Sequence, residues 1–280
     1  MAIALNEHFT YKKIFKITLS PILMMLFTSL YSVIDGLCIS NFYTLDGFAG
    51  VNLIWPILMI IGGLGFMFGT GGSALASKFL GEGNREKANQ VFTNIVITNT
   101  IAGLLMSILG VIFIRPICEA MGSVTPDTNP VMIEEAIQYG RILMCGQVFF
   151  MVQNMFQNFF VVDEKPKLGF LFTFLAGMTN IVLDLLLIGL FKWGTIGAAV
   201  GTVTGYIVGA VGPIIYFLTH KNGNITLVKC KPDFHSIGKS CFNGISEFVS
   251  NIAISAANLL INLELLKYYG ENGINAYGII

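Results

Sequence analysis

From Thr173 to Leu190 the chain is almost unbroken apolar sequence with one carboxylate, Asp184, well inside it. The run is close to the ~20 residues that a helix needs to cross a bilayer. An aspartate at the bilayer centre costs about 2.5–3.5 kcal/mol even on the lenient insertion scale. Lipid is therefore excluded as its neighbour, and it must face a protein interior or a wet cavity. Asn180 stands four residues earlier, so on a helix the two side chains share a face. Gly177 and Thr173 continue that face, leaving one side small and polar and the other Leu, Ile, Phe and Val.

Long apolar runs recur along the whole chain. Hydrophobic residues make up 54% of it and charged residues 11%, against about 25% charged in a soluble domain. Too little charge is left to cover a water-facing surface. Without the short period-2 segments of a barrel, the runs read as helices. The expected fold is all-α integral membrane, with spans near 14–40, 49–79, 89–116, 132–161, 167–191, 195–219 and 236–268 and an eighth beginning at Ala276. Residues 1–219 form a six-helix lobe, 220–235 a cytoplasmic connection, and 236–280 the start of a second, truncated lobe.

The 16 basic and 16 acidic residues cancel, which argues against a nucleic-acid partner. Cys38, Cys118, Cys145, Cys230 and Cys241 are scattered singly, and His8, His220 and His235 lie in polar segments. No disulfide framework, metal cluster, cofactor or enzymatic activity is expected from them. Lys12, Lys13 and Lys16 precede the first apolar run in the manner of a signal peptide. That run is too long for one and contains Asp35, so it reads as a spanning helix that stays.

The connections set an orientation. Lys12, Lys13, Lys16, Lys78, Arg85, Lys87, Lys165, Lys167, Lys221, Lys229, Lys231 and Lys239 fall on one side, and Arg115, Lys192 and Lys267 on the other. This bias predicts a cytoplasmic N-terminus in the cell (inner) membrane. Asp35 and Asp184 then both occupy the outer halves of their spans, and Thr202 lies roughly 10 Å into its own at 1.5 Å per residue. Three polar groups from three helices at one depth are the strongest functional signal in the sequence.

Gly194, Gly197, Gly201, Gly205 and Gly209 form a stripe in the sixth span that suits close helix packing. Gly62, Gly63, Gly65, Gly69, Gly71 and Gly72 in the second are expected to soften that helix. None forms a nucleotide-binding loop. The segment 46–54 after the first span is weakly echoed by 272–280 after the seventh, which points to a second copy of a six-helix unit opening there.

Three stretches resemble one family. Phe68-Gly-Thr-Gly-Gly-Ser-Ala-Leu-Ala-Ser-Lys-Phe-Leu-Gly-Glu-Gly-Asn-Arg-Glu-Lys-Ala88 resembles the signature at the end of the second helix of the multidrug and toxic compound extrusion (MATE) transporters. Asn180-Ile-Val-Leu-Asp184 resembles their fifth-helix motif, and Trp193-Gly-Thr-Ile-Gly-Ala-Ala-Val-Gly-Thr202 the opening of their sixth helix. The match covers essentially the whole chain. It implies two six-helix lobes around a central cavity, exporting cationic, amphipathic drugs or toxic compounds against inward proton or sodium flow. It also implies a first-lobe cation site at Asp35, Asn180 and Asp184, with Thr202 beside them and Tyr31 and Tyr139 as accessory residues. The coupling ion is a proton, or a sodium at Asp35 and Asp184. A longer form supplying the rest of the second lobe is the partner that the resemblance implies.

Each candidate has a plainer alternative. Asp184 is otherwise a packing group bonded to Asn180 or a nearby threonine, and Asp35, one turn beyond Ser32, an interfacial aspartate. Glu247, on the inner half of the seventh span, either binds cationic substrate or lines the entrance. Arg141 snorkels or pairs with a carboxylate. Met24, Met25, Met144, Met151 and Met155 with Phe149, Phe150 and Phe156 read as bundle core, the alternative being an adaptable drug-facing wall. The competing function is a lipid-linked oligosaccharide flippase of related architecture, which would need more cavity-facing bases than Arg141. An intramembrane aspartyl protease would need a Gly-x-Gly-Asp type loop, and neither Asp35 nor Asp184 follows one.

Overall fold

The computed structural model describes residues 11–123, 129–220 and 223–279. They form α1 (Tyr11–Phe42), α2 (Leu45–Gly81), α3 (Arg85–Gly122), α4 (Pro130–Val162), α5 (Pro166–Asp184), a π-helical run Leu185–Leu190, α6 (Gly194–Thr219), α7 (Phe234–Tyr269) and α8 (Glu271–Ile279). No strand occurs among the described residues. Lys221 and His8 lie outside them.

The helices start and stop where polar side chains satisfy their end groups. Thr44 caps α2 by accepting from the Gly47 amide at 3.1 Å, and Asn84 caps α3 through Lys87 at 3.1 Å. Asn129 caps α4 at the Val131 amide, 2.9 Å away, with Pro130 in the first helical turn. The final helix begins at Glu271 rather than Ala276. Gly270, at φ +63°, turns the chain there in a conformation that suits glycine.

Six helices are long and apolar enough to cross a membrane: α1 over Pro21–Phe42, α2, α3, α5 with its π-helical run, α6 and α7. The chain is a multi-pass membrane protein. Seven such spans were expected, and the departure is α4. It packs against α2, α3 and α6, and Gln147, Gln153 and Asn154 are buried along it. A helix surrounded by protein needs no lipid-compatible surface, so its amides are tolerated where an outer helix would lose them. The connections after α2, α4 and α6 share one end of the bundle with the start of α1, and this is the end with most of the basic residues.

The glycines of α2 serve close packing. The helix is unbroken from Leu45 to Gly81, and its glycines are close contacts. A Cβ on Gly65 would lie 2.7 Å from the Met151 Cα of α4. Gly71 meets the Ser240 carbonyl of α7, and Gly244 meets the Met67 carbonyl in return. The α6 stripe packs as expected, with Gly197 against Leu187 and Gly205 against the Ala176 carbonyl.

At the basic end, Phe92, Phe156, Phe159, Phe160 and Phe217 fill an aromatic core. Met24, Met144, Met151, Met155, Phe150 and Phe156 are buried as expected of core, whereas Met25 is exposed. The connection from α6 to α7 lies along α3 as a strap. Its Thr226 amide donates to Asn89 Oδ1 at 2.8 Å, Val228 to Thr93 Oγ1 at 3.0 Å and Asp233 to Asn94 Oδ1 at 3.3 Å. Arg85 bonds the Gly223 carbonyl.

Candidate cation site

The polar face of α5 turns inward. Thr173, Asn180 and Asp184 are all buried, Asp184 completely. Gly201 and Gly205 let α6 close on that face: a Cβ on Gly205 would stand 2.9 Å from the Ala176 carbonyl, and one on Gly201 would strike Asp184 Oδ1. The approach brings Thr202 within reach of Asn180, whose Nδ2 donates to Thr202 Oγ1 at 3.2 Å. From α1, Asp35 sets its carboxyl group against that of Asp184. Asp35, Asp184 and Thr202, expected at one depth, are thus neighbours, with Asn180 between α5 and α6 beside them.

Asp184 Oδ1 and Oδ2 and Asp35 Oδ1 are buried without a hydrogen-bond partner among the described residues. Two carboxylates in contact repel in a low-dielectric interior unless a cation lies between them. Tyr139 is fully buried, and its ring is close to both carboxylates and to Thr202. Tyr31 is half-buried and adjoins Asp35. The carboxylate, hydroxyl and phenol oxygens gathered here suit a proton or a hard monovalent cation. Among the described residues no group of three His, Cys, Asp or Glu gathers to hold a metal ion.

Asp35 also lines a cavity of about 250 Å³ with Ser32, Ser40, Asn52, Trp55 and Gly278. Asp184 has no such opening. The π-helical run follows it directly, a local feature often found at functional sites. At the far end of the lobe from the basic connections, Glu135 holds the bundle together. It accepts from Tyr43 at 2.8 Å and from Thr195, tying the α1–α2 turn to α6. The bond to Glu135 pushes the Tyr43 phenol up to about 12.

Glu247 lies apart, exposed on α7, where its carboxylate accepts from Asn251 at 3.4 Å. Arg141 is exposed on α4 and makes no ion pair among the described residues. Three further residues border the site. Cys38 is buried beside both carboxylates, one turn beyond Asp35. Tyr206 is one turn beyond Thr202 and shares a small cavity with Asn180, Thr202 and Gln153. Their signals in the sequence were the spacing of four for Tyr206 and, for Gln153, an amide inside a run of Met and Phe.

A family model described as MatE matches residues 21–186. The multidrug export protein MepA of Staphylococcus aureus (strain MRSA252) is 26% identical over 282 residues, taking in 97% of this chain and 60% of MepA. MepA of Staphylococcus saprophyticus is 27% identical over 281 residues, with the same 97% and 60% covered. Among solved structures, the inward-facing conformation of a multidrug resistance MATE family transporter of the MOP superfamily matches with a TM-score of 0.83 at 23% identity. That match covers 90% of this chain and 56% of the other. A MOP superfamily transporter from Pyrococcus furiosus matches at 0.84 and 23%, covering 97% and 61%. At such identity the likeness is one of fold. The chain spans 60% of the length of the curated relatives it matches.

Proposed function

The chain belongs to the MatE family, and from that premise we propose that it is the cation-coupling lobe of a multidrug exporter. Asp35 and Asp184 form one shared site for a proton or sodium, with Asn180, Thr202 and Tyr139 around it. The observation that carries this reading is that the Asp35 and Asp184 carboxyl groups meet with three of their four oxygens buried and without a hydrogen-bond partner among the described residues. The cargo is a cationic, amphipathic compound, moved outward across the cell membrane by a protein whose N-terminus is cytoplasmic.

The cation enters from the outer side and neutralises the pair. That removes the repulsion between the two carboxylates, and α1 repacks against α5 and α6. The contact it uses is Gly177, where a Cβ would stand 2.8 Å from the Tyr31 ring. Movement of α1 closes the lobe and displaces substrate. The driving force is adequate: one charge crossing ~100 mV is worth about 2.3 kcal/mol, roughly a fifty-fold concentration ratio by the tenfold-per-1.4 rule.

Efflux of a cationic dye tests the reading in a protein that joins this lobe to a second one. Asp184→Asn should abolish coupled efflux with membrane insertion intact. Asp35→Asn should do the same, and the double variant should be no worse than either, since both act through one site. Normal efflux by Asp184→Asn across the pH range would overturn it.

A further inference from the structure

Beside the carboxylate pair, toward the basic end of the lobe, lies a small cavity of about 10 Å³, the volume that one water needs. Tyr31, Gln153, Asn180, Thr202 and Tyr206 supply its polar lining. Gln153 and Asn180 are 6% and 2% exposed, and the carbonyl oxygens of both side chains lack a donor among the described residues. A buried acceptor left unpaired costs about 1–3 kcal/mol, so two on side chains that line one cavity need an explanation. One water supplies it. It donates one proton to each oxygen, and a tyrosine hydroxyl at the wall donates to the water in turn.

We propose that this cavity holds a single water and that Gln153 is a positioning residue. Through that water it fixes Asn180 with its N–H toward Thr202 and Asp184, withholding an amide oxygen from sodium at the carboxylate pair. The inference rests on the reading of Asp35 and Asp184 as a cation site. An amide presents either donors or an oxygen to its neighbour, and its orientation is set by the network behind it. Asn180 now turns Nδ2 to Thr202 at 3.2 Å and stands beside Asp184. Hard cations are bound by oxygen, so this orientation works against sodium. Removing the acceptor on Gln153 removes the water's anchor and frees Asn180 to flip. Gly209 controls the same amide from α6, because a Cβ there would stand 2.5 Å from Gln153 Cδ and Oε1.

Sodium titration of the purified chain in lipid nanodiscs tests this, with choline keeping ionic strength constant. The sequence has two tryptophans, so Trp193→Phe leaves Trp55, in the cavity beside Asp35, as the fluorescent reporter. Gln153→Met keeps the shape and removes the acceptor. It should bind sodium about tenfold more tightly, the effect of one net hydrogen-bond-sized interaction. Gly209→Ala should reproduce the gain, which keeps the test open if Gln153→Met fails to fold. Gln147→Met should not, since Gln147 bonds the Leu58 carbonyl at 3.0 Å, outside the cavity. A merely structural role would weaken binding, so a gain is diagnostic. Unchanged or weaker binding in both Gln153→Met and Gly209→Ala overturns the proposal, as does an equal gain in Gln147→Met. If Asp184→Asn abolishes the signal in that case, the cation-site reading survives alone. If Asp184→Asn titrates like the parent, both fall.

Discussion

Asp163→Ala should release the strap between α6 and α7 without unfolding the bundle. Asp163 ends α4 and is 2% exposed. One of its carboxylate oxygens accepts from the Asn224 amide at 2.6 Å, the other from the Tyr216 hydroxyl at 2.8 Å, with Lys165 Nζ at 3.3 Å. The site lies outside the spanning segments, so energetics measured in water apply. Hydrogen bonds to a charged group are worth about 1.5–3 kcal/mol each. Two short ones then total at least ~3 kcal/mol, taking the lower figure because water can replace the carboxylate at this end. The Asn224 bond and a longer one from the Ile225 amide at 3.4 Å reach the strap directly. Tyr216 and Lys165, however, lose their shared partner and loosen the wall behind it. By the tenfold-per-1.4 rule, 3 kcal/mol is roughly a hundred-fold rise in the open population. Limited trypsin digestion reads that population at the exposed Lys229 when opening is fast relative to cleavage. The variant should be cut there about a hundred times faster, with helical circular dichroism unchanged, and Asp163→Asn, which keeps a neutral acceptor, about tenfold faster. Cleavage of Asp163→Ala at the parent rate would show that Asn89, Thr93 and Asn94 hold the strap unaided, and the reasoning would fail.

Other consequences are simpler to read. Asp233 caps α7, accepting from the Ser236 hydroxyl at 2.6 Å and from the His235 and Ser236 amides, and the Ser236 bonds hold its carboxyl below the usual carboxylate range. Its contribution, about 1 kcal/mol by analogy with other caps, should therefore be complete at neutral pH. It should fade only as the pH falls below the ordinary value of about 3.9, so Asp233→Ala should lower the melting temperature at pH 7 more than near pH 3. Gly65→Val should lower thermal stability in detergent, because its Cβ would lie 2.7 Å from the Met151 Cα with no flexible side chain to yield; a parental melting curve would contradict the close crossing of α2 and α4. With the native cysteines replaced, a membrane-impermeant maleimide added outside cells should label Ser123→Cys and spare Glu82→Cys. The reverse would invert the orientation read from the basic residues.

The spans and the carboxylate pair were legible because a bilayer leaves few choices. Asp184 cannot face lipid, and a rise of 1.5 Å per residue places Asp35 and Thr202 at its level once the orientation is read. The limits of legibility lay where a residue's partner has no sequence signature. Asn89, Thr93 and Asn94 look like ordinary polar residues near the start of a helix, yet each accepts from a backbone amide of the irregular strap. Helix α4 carries no apolar stripe because protein surrounds it, so composition could not rank it as the central element. The glycines of α2 were read as flexibility because sequence records the missing side chain but not the Met151 or Ser240 backbone that needs its space.

Access to the pair is not symmetrical, and this bears on how the two carboxylates divide their work. Asp184 is completely buried. Beyond it the π-helical run is apolar, with Ile188 fully buried and Leu187 against Gly197, while Cys38 and Tyr139 are buried beside the pair. Asp35 is partly open and forms a wall of the larger cavity. A cation arriving through that cavity meets Asp35 first and reaches Asp184 only past it. On the proposed reading, Asp35 is the entrance and Asp184 the inner ligand. Neutralising the first leaves the second unreachable, and neutralising the second leaves the first an ordinary half-exposed carboxylate with nothing to share. Either loss alone removes the site, which is the physical reason that the double variant should add nothing to the singles.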